Sequence, residues 1–148
     1  MLDSNVFIIA EAGSNWKAGS YNEDLKRAKK LIQVAAQSGA DAVKFQMFRA
    51  NTVYVQNAGN SDYLEKSGIK RSINEIFQKA EMPYEMLRKL SDYCKKQHIE
   101  LMITAFSVND AQVLNKYVRI HKVASYEINH IRLLEYLAQT KKPIIIST

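Results

Sequence analysis

Two lysines lie inside apolar runs of the kind that form buried strands. Lys44 interrupts Ala42-Val43-Lys44-Phe45, and Lys122 opens Lys122-Val123-Ala124. An ammonium in a buried strand is costly unless it is paired or faces a polar cavity. One reading is that each lysine snorkels at a strand edge or pairs with a carboxylate. The other is that they hold an anion. With Ser125 and Ser147 nearby, two lysines suit a ligand carrying both phosphate and carboxylate, since lysine binds phosphate as a point charge and hydroxyls supply donors. Glu11 and Glu127, each just after an apolar run, are candidate acid–base groups, because a partly desolvated carboxyl can titrate near neutral pH. They are equally candidates for pairing with those lysines. Gln46, Thr104 and Ser107 add polar groups at strand ends.

Other chemistry-bearing residues carry weaker signals. His98 reads as a capping or surface residue, His121 can face either side of its strand, and His130 reads as a cap or loop contact. No His–Glu or paired-His spacing marks a metal site. Gly13 and Gly19 do not make a dinucleotide-binding glycine pattern. Trp16 is either a stacking surface or loop packing, and Cys94 reads as helix-core filler.

The elements that must position these groups follow from periodicity. Strands are expected at 6–10, 42–46, 101–105, 120–124 and 143–147. The first is read as buried on both faces. Helices are expected from Asn22 as cap to about Ser38, over 72–80, from Pro83 in the first turn to about Gln97, from Ser107 or Asn109 to about Tyr117, and over 131–140. Residues 47–71 form a long polar segment without a strong period, which is usually functional in a compact domain. Strands alternating with helices imply right-handed crossovers and a parallel sheet. Both a doubly wound sheet and a (β/α)8 TIM-type barrel qualify, and both set their sites at the C-terminal ends of the strands. A barrel takes about 250 residues, so 148 residues would hold about five of its eight strands. The sequence is therefore read, over 1–148, as the N-terminal part of a truncated barrel.

The apolar fraction of 47% and charged fraction of 24% are those of an ordinary globular chain. No run of about 18 apolar residues predicts a membrane span, and the first residues lack the basic region of a signal peptide. One cysteine rules out an internal disulfide and fits a cytoplasmic setting. The net charge of +6 favours anionic partners. The densest basic run, Lys26 to Lys30, spreads over a helix exterior beside Glu23 and Asp24, so nucleic acid is not expected as a partner.

Five segments in series carry a resemblance: Ile8-Ile9-Ala10-Glu11-Ala12-Gly13-Ser14-Asn15, Gly39-Ala40-Asp41-Ala42-Val43-Lys44-Phe45-Gln46, Thr104-Ala105-Phe106-Ser107, His121-Lys122-Val123-Ala124-Ser125-Tyr126-Glu127-Ile128 and Lys142-Pro143-Ile144-Ile145-Ile146-Ser147-Thr148. In order, they resemble the successive strands of the sialic acid synthase (N-acetylneuraminate synthase) family. The resemblance implies a (β/α)8 barrel followed by a small antifreeze-like C-terminal domain. It implies condensation of phosphoenolpyruvate with an N-acyl amino sugar such as N-acetylmannosamine, giving a sialic-type nine-carbon acid and phosphate. A divalent metal, Mn2+ or Mg2+, would activate the sugar aldehyde from ligands outside this chain. Lys44, Lys122, Ser125 and Ser147 would hold phosphoenolpyruvate, Glu11 and Gln46 would face the sugar and the attacking water, and Glu127 would handle protons near the reacting carbon. Residues 47–71 would cover the sugar. Trp16 and Tyr126 stand where the family usually has His and Gly, and are expected to add bulk near the mouth. A homodimer is expected of the full-length protein, and the chain by itself is expected to be inactive. The residues alone also leave open a Schiff-base aldolase using Lys44 or Lys122, and a non-catalytic half-barrel binding module.

Overall fold

The computed structural model describes residues 6–55, 59 and 72–148. Most of the expected polar segment at 47–71 lies outside the described residues, as do the first five positions. Five parallel strands form one sheet: β1 (Ile9–Gly13), β2 (Ala42–Met47), β3 (Glu100–Ala105), β4 (His121–Val123) and β5 (Ile144–Ile146). They lie side by side in chain order, β1-β2-β3-β4-β5. Right-handed crossovers between successive neighbours return every helix to the same face. A doubly wound sheet would reverse its strand order. The arrangement is that of five successive strands of a (β/α)8 TIM-type barrel.

The helices are α1 (Tyr21–Gln37), α2 (Ala50–Val53), α3 (Ile73–Lys79), α4 (Tyr84–Lys96), α5 (Val108–Leu114) and α6 (Ile131–Gln139), with a one-turn 3₁₀ helix, Ser125–Glu127, after β4. Ser20, not Asn22, caps α1. Its hydroxyl accepts from the Glu23 amide while the Glu23 carboxylate accepts from the Ser20 amide, a reciprocal capping box. Asp24 draws in the preceding loop, accepting from Ala18 N at 2.7 Å, Gly19 N at 2.9 Å and Lys17 Nζ at 2.5 Å. Pro83 sits one residue earlier than expected, as the N-cap of α4. That helix stops where His98 takes the left-handed conformation, φ 54°, which His tolerates better than bulkier residues.

One sheet face and the helices share the core. Val43, Phe45, Leu101, Ile103 and Val123 meet Ala28, Ile32, Leu87, Leu90, Leu114 and Leu133 there. Strand β1 begins three residues later than the apolar run suggested. Val6 is 79% exposed, and Phe7 and Ile8 are also exposed, so the reading of 6–10 as doubly buried is corrected. The cause is pairing rather than hydrophobicity: the β1–β2 ladder starts at Ile9 opposite Ala42 and runs through Glu11, whose side chain has a charged partner. Likewise residues 50–53, expected to lack structure, form α2, held by the Ala50 amide donating to Glu81 Oε1 at 2.8 Å.

Candidate active site

The face of the sheet turned away from the helices carries the polar residues. Cross-strand partners share a face, and the register sets Glu11 opposite Lys44, Gln46 opposite Thr104, Thr104 opposite Lys122, and Lys122 opposite Ile145. This inner face therefore bears Glu11, Lys44, Gln46, Met102, Thr104 and Lys122, with Ala42 and Met102 as its apolar floor. The helix-facing residues alternate with them.

At the β1 end, a bulge between Glu11 and Gly13 shifts the register. Bulges re-aim side chains next to sites. Gly13 takes φ 53°, and a Cβ there would sit 3.3 Å from Glu11 Oε1 and 4.0 Å from Gln46 Nε2. Both the Glu11 carboxylate and the Gln46 amide thus lie close to the Gly13 backbone. Glu11 is ion-paired with Lys44, so for this lysine the pairing alternative holds. Trp16 is 0% exposed within the outer core, which meets its packing alternative and corrects the expectation that it adds bulk near the mouth; its Nε1 finds no partner among the described residues.

Lys122 is different. It is only 9% exposed, and Nζ donates to Val123 O and to Ser147 Oγ, each at 2.6 Å. Among the described residues no carboxylate pairs with it. Burial pushes its pKa below the ordinary lysine value, and the Lys44 charge lowers it further, while Glu11 partly offsets both. Lys44, Glu11 and Lys122 are thus in mutual electrostatic reach, with Ser147 bonded to the last. Ser125 is exposed on the 3₁₀ turn and is not bonded to Lys122.

Glu127 does not pair with either lysine. It is 7% exposed, and its Oε2 lies 2.6 Å from His130 Nδ1. His130 occupies the N-cap position of α6 without a side-chain capping bond; its imidazole makes the loop contact to Glu127 instead. The Glu–His spacing of three was the available signal for this pair. Ser107 belongs to a helix cap rather than to the inner face, donating to Asp110 Oδ2 at 2.7 Å. Tyr126 is exposed, beside the mouth. His121 points to the helix side and bonds Thr140 Oγ1 at 3.0 Å. Cys94 is buried, and burial pushes its thiol up to about 12, which disfavours the thiolate and fits its reading as helix-core filler.

Among the described residues, cavities open at both ends of the sheet. One of about 1020 Å3 lies beside the C-terminal end of β2, lined by Arg49, Tyr54, Gln78, Glu81, Tyr84 and Asn109. The other, of about 510 Å3, includes Asp41, His98, Glu100 and Arg119 and sits at the N-terminal end of the strands, where barrels of this type do not carry out chemistry. Among the described residues no group of three or more His, Cys, Asp or Glu side chains could hold a metal ion. Glu11 and Glu127 are already engaged, so these residues do not by themselves fit a divalent-metal centre. No helix among them is long and apolar enough to cross a membrane.

The chain is similar to known proteins along nearly its whole length. It is 42% identical over 99% of its residues to the spore coat polysaccharide biosynthesis protein SpsE of Bacillus subtilis, covering 38% of that protein. It is 38% identical over 95% of its residues to N,N'-diacetyllegionaminic acid synthase of Campylobacter jejuni, covering 41% of that protein. The crystal structure of N-acetylneuraminic acid (sialic acid) synthetase from Leptospira borgpetersenii superimposes with a TM-score of 0.77 at 30% identity, over 97% of this chain and 44% of that one. The chain thus spans well under half the length of these relatives. Residues 31–148, which hold β2 to β5 with Lys44, Lys122, Glu127 and Ser147, match the NeuB family, and the chain belongs to that family.

Proposed function

We propose that this chain is the front part of a cytoplasmic, homodimeric sugar acid synthase that condenses phosphoenolpyruvate with an N-acyl amino sugar such as N-acetylmannosamine. The enol carbon attacks the open-chain aldehyde of the sugar, water adds to the resulting cation with loss of a proton, and phosphate leaves with C–O cleavage. The product is a sialic-type nine-carbon acid. Membranes and nucleic acids take no part.

The observation that carries this reading is the buried Lys122 ammonium, whose acceptors among the described residues are the neutral Val123 O and Ser147 Oγ. Burying such a charge costs several kcal/mol, and an anion offsets that cost when it binds. A phosphate or carboxylate at Nζ would accept from Lys122 and from the Ser147 hydroxyl, with Lys44 adding a second positive charge and Ser125 a further hydroxyl. Glu11 and Gln46 stand toward the sugar and the attacking water. Glu127 handles the proton near the reacting carbon. A divalent metal would polarise the sugar aldehyde, held by ligands outside this chain.

The test is phosphate release by the whole protein. Release that requires phosphoenolpyruvate, Mn2+ and N-acetylmannosamine or a related N-acyl sugar together, and that is lost in Lys122→Ala, is the expected result. No release with any sugar of the panel overturns the reading. A second reading has one observation in its favour: a depressed lysine pKa is what a Schiff-base aldolase needs. Borohydride trapping with pyruvate separates the two, since the synthase forms no imine.

A further inference from the structure

The Glu127–His130 pair is built by one tight turn. Glu127 ends the 3₁₀ helix that follows β4, and His130 caps α6. The His130 amide donates to Glu127 O at 3.0 Å, which closes the turn and brings both side chains to one side. The His130 carbonyl then accepts from Leu133 N at 3.0 Å and Leu134 N at 3.1 Å. Leu133 and Leu137 are buried in the core, so the backbone carrying the imidazole is clamped by packing. The carboxylate is 8% exposed and the imidazole 34%, with Nδ1 to Oε2 at 2.6 Å. A carboxylate only accepts, so Nδ1 carries the proton, and the separation is that of a charge-assisted hydrogen bond. Among the described residues Oε1 has no protein partner and Glu127 has no lysine or arginine counter-charge. Among the described residues His130 is the single side chain bonded to this carboxylate.

We infer that His130 is a positioning residue for Glu127: it holds the carboxylate in one orientation through Oε2 and leaves Oε1 available to the reacting proton. The inference rests on the synthase reading. His130 acts through Glu127 and touches no substrate. The arrangement is rigid because both residues belong to one turn whose far side is anchored in the core.

The experiment uses the whole protein with selectively 15N-labelled histidine. A downfield Nδ1–H resonance is expected in the wild type, absent in Glu127→Gln and in His130→Ala. In the phosphate-release assay, His130→Ala is expected to lower kcat by about ten- to a hundredfold with KM for phosphoenolpyruvate unchanged within about twofold. His130→Asn places an amide donor near the Nδ1 position and is a good N-cap, so it is expected to recover most of kcat. Absence of the resonance in the wild type overturns the inference. So does a His130→Ala variant with wild-type kcat, or equal losses in His130→Ala and His130→Asn with KM rising in step, which mark a purely structural histidine. A wild type that has the resonance but releases no phosphate overturns the synthase reading, and the catalytic part of this inference with it.

Discussion

Replacing Lys122 with methionine separates what this side chain does for the fold from what it does for a ligand. The ammonium is nearly buried, its pKa is depressed by burial and by Lys44, and its two bonds go to neutral oxygens. Methionine is similar in length and needs no partner. Val123 O keeps the Ser147 amide at 3.1 Å, and the half-buried Ser147 hydroxyl can turn to water, so no buried polar atom is orphaned. Exchanging a buried charge for a well-packed apolar side chain is neutral to stabilising by about 1–4 kcal/mol, so the melting temperature should hold or rise by a few degrees. Binding should respond in the opposite direction. Hydrogen bonds to charged groups contribute about 1.5–3 kcal/mol each, so kcat/KM for phosphoenolpyruvate should fall about a hundredfold or more. The pH dependence has a definite sign. With the folded pKa below the unfolded lysine value of about 10.4, the unfolded chain binds more protons between the two values. Stability therefore rises with pH across that window, and the methionine variant loses the rise. Thermal melts and steady-state phosphate release on the whole protein read both arms. Destabilisation by more than about 2 kcal/mol with an unchanged kcat/KM would refute the reasoning and make Lys122 a structural donor.

Three further outcomes follow from the same geometry. Glu11→Gln removes the partner of Lys44 at a cost of about 0.5–1 kcal/mol, since Glu11 is half exposed and screened. It also deletes a charge that raises the Lys122 pKa, so the alkaline weakening of phosphoenolpyruvate binding should begin at lower pH, as read from KM against pH. His121 is held below its ordinary value by burial and then by Lys142. As pH falls through the unfolded histidine value of about 6.5 the unfolded state takes up the extra proton and stability is lost. Urea midpoints between pH 5 and 8 should show that loss in the wild type and a smaller one in His121→Gln. The Cys94 thiol, buried and pushed up to about 12, should resist alkylation in the native protein at pH 8 and react after denaturation. Rapid native labelling at Cys94, followed by mass spectrometry, would mean that α4 is not seated on the sheet.

What the sequence by itself determined was whatever depends on neighbours in the chain. Apolar runs of strand length and helical stripes identified most elements, because periods of 2 and 3.6 are local properties. The two lysines inside apolar runs drew notice for the same reason, and the five segments around the strand ends pointed to the family. Where β1 starts was not legible, since the ladder begins where Ile9 meets Ala42, in a distant part of the chain. Nor was the difference between the lysines: Lys44 has Glu11 across the β1–β2 ladder, whereas Lys122, among the described residues, bonds to Val123 O and Ser147 Oγ. Glu127 was read against those lysines although its partner, His130, stood three residues away. Ser107 was read both as a strand-end polar group and as a helix start, and Trp16 both as a mouth residue and as packing; the structure decides for the cap and for the core. Residue types and their local spacing told which groups could do chemistry. Only the tertiary structure decided which of them share a face and which are already neutralised, because register and pairing are made between strands that the chain itself keeps far apart.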